Sequence, residues 1–195
     1  MRVRQSAIRP MVIYAIYVVS FAVLQVTILQ DFRVFGEQPD LTLILAVLTG
    51  YLFGLSDGIM VGLAAGFLRD MLAGRGLGLG MLLLMYAAMI AHWMFRDFFR
   101  RKTWMGVFQV LFITLIFEFV LVMLSWFFPQ IPDQIPPFRG LMAQMMARLP
   151  IQSALNMLAS IPVLLLLRYR GPYDPRVLRE DLDDGSTGEG RWRTI

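Results

Sequence analysis

The sequence predicts an all-α integral membrane protein: a compact bundle of about six transmembrane helices forming one multi-pass domain over residues 1–170. Three observations carry that expectation. Of 195 residues, 57% are hydrophobic and only 16% are charged. An average soluble domain is about 25% charged, and this chain has too few polar residues to cover a surface of that kind. The apolar residues are also gathered into long runs, the pattern of repeated spans. Finally, Lys and Arg are distributed unevenly between successive loops, as membrane topology requires.

The first segment, about 10–29, follows the basic flank "MRVRQSAIRP". Its run from Met11 to Leu29 is longer than a signal-peptide core, and no small-x-small cleavage site follows, so an uncleaved first helix is expected. The second, about 40–54, opens at "PDLTLILAVLTGYLFG", and the third covers about 58–73. At 1.5 Å per residue both are short for a hydrocarbon core of about 30 Å. They either stand in a thinned bilayer or form a hairpin that does not cross fully. The fourth, fifth and sixth segments are expected at about 77–95, 104–128 and 150–168. Between the last two lies "PQIPDQIPPFRGLMAQMMARL", residues 129–149. Its proline-rich first half is incompatible with a helix interior. Its second half, from Phe138, suits an amphipathic helix lying in the interface. Residues 171–195, with "REDLDDGSTGEG", form a polar tail expected to be disordered.

Orientation follows from the basic residues. With the N-terminus in the cytoplasm, the inner side holds Arg2, Arg4, Arg9, Arg96, Arg100, Arg101, Lys102, Arg168, Arg170 and the arginines of the tail. The outer side holds only Arg33, Arg75, Arg139 and Arg148. Both termini are therefore expected to be cytoplasmic, with an even number of crossings.

Several chemistries are disfavoured. The chain has no cysteine, so disulfides, thiol nucleophiles and cysteine-ligated metals are excluded. The net charge of +4 is explained by topology, and no nucleic-acid partner is expected. His92 is the sole histidine, which argues against catalytic zinc. His92 and Asp97 have the H-x4-D spacing of some lipid acyltransferases, but residues five apart share a helix face poorly. "GRGLGLG" lacks the Gly-Lys-Ser/Thr ending of a phosphate loop and reads as a tight outer turn. No catalytic residue, cofactor or metal is expected.

The third segment carries the densest pattern. Gly58, Gly62, Gly66 and Gly74 recur at multiples of four residues, with Asp70 in the same series. Such residues share a face, a smooth groove suited to close helix approach, either inside the bundle or by a partner helix. Asp70, near the outer end, is expected to accept hydrogen bonds from the "GRGLGLG" turn or to pair with Arg75. Arg69 is expected to snorkel outward. Glu118, mid-span in "LIFEFVLVML", is the best candidate for a polar site in the interior.

Residues 39–80 resemble the MreD family, the multi-pass rod shape-determining proteins of bacteria. The resemblance begins at Pro39-Asp40-Leu41, continues through Gly58 and "GLAAGFLRDMLAG", and ends at "GLGLG". Its motif positions are Gly62, Gly66, Asp70, Gly74 and Leu77-Gly78. Arg69 before the aspartate and the long polar tail depart from the family pattern. The resemblance implies a six-helix fold similar to the substrate-binding components of energy-coupling-factor transporters. It implies a non-catalytic scaffold in the bacterial inner membrane, where it binds MreC. The implied wall-elongation complex also contains MreB, RodA and a class B penicillin-binding protein. A substrate-binding component of a vitamin-type transporter is the alternative. It requires a polar cavity open to the outside, with Glu118 or Asp70 on the ligand, whereas a scaffold calls for a dry interior.

Overall fold

The computed structural model describes residues 2–29, 31, 33–72, 78–94, 103–127 and 137–173. Six helices follow in order: α1 (Arg2–Thr27), α2 (Leu41–Phe53), α3 (Leu55–Leu72), α4 (Leu79–Met94), α5 (Thr103–Phe127) and α6 (Phe138–Arg170). Among the described residues the only β contact is an isolated bridge between Val34 and Glu37. Three stretches, Arg9–Thr27, Trp104–Leu124 and Phe138–Arg170, are long and apolar enough to cross a membrane. The two short apolar helices are α2 and α4.

The arrangement is organised around α2. Its 13 residues are apolar on every face but for two threonines, a glycine and a tyrosine. A helix of that kind is stable only when surrounded. Accordingly α2 packs against each of the other five helices, and all its residues but Leu52 are buried. At about 20 Å it is shorter than the hydrocarbon core, but its neighbours rather than lipid cover its ends. It turns directly into α3 through Gly54, whose φ of +105° is open to glycine and strained for other residues. The α3–α4 hairpin packs on one side of α2, the α5–α6 hairpin on another, and α1 closes over α2 and α3.

Three expectations need correction. The sixth segment begins at Phe138, and α6 runs 33 residues through Pro150 and Pro162. The stretch expected to lie in the interface is thus continuous with the span. Its Met145 is buried, and Phe138 packs edge-on against Trp126 of α5 with ring centroids 5.5 Å apart. Those contacts carry its first turns along α5. The tail does not begin at 171: Gly171 and Pro172 are buried and Tyr173 packs on Phe53. The remaining tail and residues 129–136 lie outside the described residues, as do Gly74, Arg75 and Asp97.

Two exposed aromatic belts mark the ends of the bundle. Trp93, Trp104 and Tyr169 are exposed at the end where α4 finishes and α5 begins. Phe35, Trp126, Phe127 and Phe138 are exposed at the other. Amphipathic rings favour the headgroup level of a bilayer. On α5 the 22 helical rises from Trp104 to Trp126 span about 33 Å, close to the thickness of a hydrocarbon core.

Candidate functional site

The Asp40 end of the bundle gathers most of the polar side chains that connect helices. Asp40 is the N-cap of α2, its Oδ1 accepting from the Leu43 amide at 3.0 Å and from Thr42 Oγ1 at 2.7 Å. A cap of this kind satisfies one of the amides a helix start leaves without an internal partner. Its Oδ2 faces Arg69 Nη1 of α3 at 2.6 Å. The Asp40 amide donates to Asn156 Oδ1 of α6 at 2.8 Å, and Asn156 Nδ2 donates to Thr114 Oγ1 of α5 at 3.0 Å. From α1, Gln25 donates Nε2 to the Pro39 carbonyl at 3.0 Å and accepts the Leu41 amide at 2.8 Å. Residues 39–41 are thereby tied to α1, α3 and α6 together.

Arg69 does not snorkel outward. Its guanidinium lies 5.6 Å from the Phe117 ring centroid while it pairs with Asp40, leaving the side chain 29% exposed. The buried carboxylate offers a better partner than the rim of the bundle. Asp70 turns the other way. Its Oδ2 accepts the amides of Gly78 at 2.9 Å and Gly80 at 3.0 Å, at the start of α4. An anion suits a helix N-terminus, where free amides carry partial positive charge. Gly78 has φ +117°, which fits it to this turn, and a Cβ on Gly80 would collide with the Asp70 carboxylate.

The glycine groove is filled from inside. A Cβ on Gly58 would stand 2.7 Å from Gly50 Cα, and one on Gly62 would stand 2.8 Å from the Leu84 carbonyl oxygen. One on Gly66 would meet the Gly80 carbonyl oxygen at 2.6 Å. The obstacles are backbone atoms of α2 and α4. The groove therefore offers no face for a partner helix, because α4 already lies in it.

Glu118 sits half-buried on α5, with Asp40, Arg69, Glu37 and Arg148 as the charged groups around it. Two of these acids are matched: Arg69 pairs with Asp40, and Arg148 Nε stands 3.3 Å from Glu37 Oε1. Among the described residues no hydrogen bond reaches the Glu118 carboxyl group.

The opposite end has its own tie. Asp57, in the first turn of α3, accepts from Tyr14 at 2.8 Å and from Tyr173 at 2.6 Å, and Phe53 packs between the two rings. Between the ends, Gln109 of α5 donates to the Ala91 carbonyl of α4, beside the buried His92. An apolar groove of about 260 Å³ runs between α1 and α3, lined by Met11, Val18, Met60 and Phe67 among others. No cluster of three His, Cys, Asp or Glu suited to a metal ion occurs among the described residues.

Sequence reasoning singled out Pro39, Asp40, Asp70, Gly78 and Glu118, and the structure places all five towards one end. It missed Gln25, Thr114, Asn156 and Asp57. Their signal was available: each is a lone polar residue inside or beside an apolar run, which a membrane helix keeps only with a partner. No family model, curated protein or solved structure matches the chain.

Proposed function

We propose that this chain is a non-catalytic membrane scaffold of the bacterial wall-elongation complex, resident in the inner membrane with both termini cytoplasmic. It binds MreC there and holds it in register with MreB, RodA and a class B penicillin-binding protein. The observation that carries the reading is the use made of the motif residues. Pro39, Asp40, Gly58, Gly62, Gly66, Asp70 and Gly78 join helices to one another or form the turn between them. Residues 39–80, which bear the family resemblance, thus act as architecture. Such a bundle presents a rigid outer surface, as a scaffold requires.

A transporter component calls for a polar, solvent-open cavity around Glu118 or Asp70. Asp70 is instead buried against the start of α4, and the roomy groove between α1 and α3 is apolar. Both observations favour the scaffold.

Depletion of the chain from its native cell tests the reading. Rod-shaped cells are expected to round up as lateral wall synthesis declines, with rescue by the wild-type chain. Unchanged shape and wall incorporation after full depletion would contradict it.

A further inference from the structure

Helices α1 and α3 run in the same direction. Gln25, near the end of α1, meets the start of α2, and α2 runs back to Asp57 in the first turn of α3, which meets Tyr14. Between the two helices lies the apolar groove of about 260 Å³. Its walls are Met11 and Val19 of α1 and Met60 and Phe67 of α3, all at least 40% exposed. Between the walls stand Ala15 and Ala64, which are too short to fill the gap. The groove is therefore open from the surrounding bilayer, and every residue that lines it is described.

Size decides what fits. The lining covers eight helical rises on each side, Met11 to Val19 and Met60 to Leu68, or about 12 Å. The volume divided by that length gives a mean cross-section of about 22 Å². A helix about 10 Å across needs roughly 80 Å² and does not enter. One extended hydrocarbon chain does. Apolar surface gains nothing by exchanging lipid for another apolar partner, so packing selects the occupant. An empty gap forfeits dispersion contacts, which a flexible chain recovers. Methionine on both walls can adapt to it.

Charge selects the headgroup. α1 begins at the Met11 end of the groove, and Arg2, Arg4 and Arg9 precede Met11 with no acid among them. Arg4 comes seven residues before Met11 and fourteen before Val18, so its position falls on their helix face. That position is about 10 Å beyond the end of the groove, where the phosphate of a lipid seated in it would lie. Asp57, an acid near this end, already accepts from Tyr14 and Tyr173.

We propose that the α1–α3 groove is a binding site for an anionic phospholipid. One acyl chain lies between Ala15 and Ala64, and the headgroup meets the arginines that open α1. The lipid comes from the leaflet at the end where α1 begins. The site goes beyond the scaffold reading and does not depend on it: it requires only that the bundle sits in a bilayer.

The test uses the purified full chain in phosphatidylcholine vesicles. The probe is a small fraction of phosphatidylglycerol carrying a photoreactive diazirine in its acyl chain, and the adducts are mapped by mass spectrometry. Adducts are expected to concentrate on residues 11–19 and 60–68, and unlabelled phosphatidylglycerol to suppress them far better than added phosphatidylcholine. Ala64→Leu fills the groove and is expected to abolish this enrichment. Arg4→Gln is expected to lower the preference for the anionic lipid about fivefold, the share of one basic residue at a charged membrane surface, while the adducts stay in place. If Ala64→Leu fails to fold, Ala15→Leu decides by the same comparison. Adducts spread evenly over the exposed faces of α1, α5 and α6 would overturn the site. So would a groove left unlabelled because a second copy of the chain covers it, or equal competition by the two lipids. An unaltered adduct pattern in the filled-groove variant would overturn it as well.

Discussion

Neighbouring helical residues point about 100° apart, and Arg69 and Asp70 use that divergence to hold two helix starts from one position. Arg69 reaches the cap of α2, and Asp70 the first amides of α4. The two roles of Asp40 can be separated. Asp40→Asn keeps a good cap but loses the ion pair, and is expected to cost about 1–3 kcal/mol, less than a fully buried pair because Arg69 is partly exposed. Asp40→Ala loses the cap as well and is expected to cost about 1 kcal/mol more. Thermal unfolding in nanodiscs measures both, and equal melting temperatures for the two variants would show that the cap contributes nothing. Asp70→Ala leaves two amides without their acceptor and is expected to destabilise by about 1–3 kcal/mol. An unchanged melting temperature would remove the anchor. Asp70's partners were legible in the sequence because they lie eight and ten residues away, within reach of a local turn. Arg69's partner was not: Asp40 is 29 residues away, and only the packing of α3 on α2 brings them together.

At the scale of elements, α3 and α4 approach until backbone meets backbone. Gly62→Ala would place a Cβ 2.8 Å from the Leu84 carbonyl oxygen and 3.0 Å from Met85 Cα, atoms that cannot rotate away. A destabilisation of about 1–3 kcal/mol is expected as the hairpin separates. Gly140→Ala is the matched control, since its Cβ would meet only Pro137 Cγ at an ordinary 3.5 Å. There the better helix propensity of alanine is expected to be neutral or to stabilise by up to about 1 kcal/mol. Equal effects at both sites, again read by thermal unfolding, would refute close packing as the cause. The four-residue glycine spacing made the smooth face of α3 legible, but not which helix fills it, since periodicity identifies a face and never its neighbour. The start of α6 was misplaced for a related reason. Pro150 reads locally as a boundary, yet contacts made by Phe138 and Met145 carry the helix through it.

For the whole molecule, composition and long apolar runs were enough to foresee six helices in order. The central place of α2 was not foreseeable, because a fully apolar 13-residue helix reads equally as a short span or as a buried core. The exposed aromatics mark the two ends of the bundle, whereas the expected orientation rests on the distribution of Lys and Arg alone. The chain has no native cysteine, so single cysteines report it directly. Arg33 and Ser56 are both exposed, at opposite ends. The Arg33→Cys chain is expected to react with an impermeant maleimide added outside intact spheroplasts, and the Ser56→Cys chain only after lysis. The reverse pattern would invert the topology.

We propose that this bundle serves as a scaffold rather than as a transporter component. Capture of the tagged wild-type chain from its native membrane in mild detergent, read by mass spectrometry, tests it most directly. Recovery of MreC together with wall-elongation enzymes is expected. Recovery of a coupling transmembrane subunit with paired ATPases, and no MreC, would contradict it.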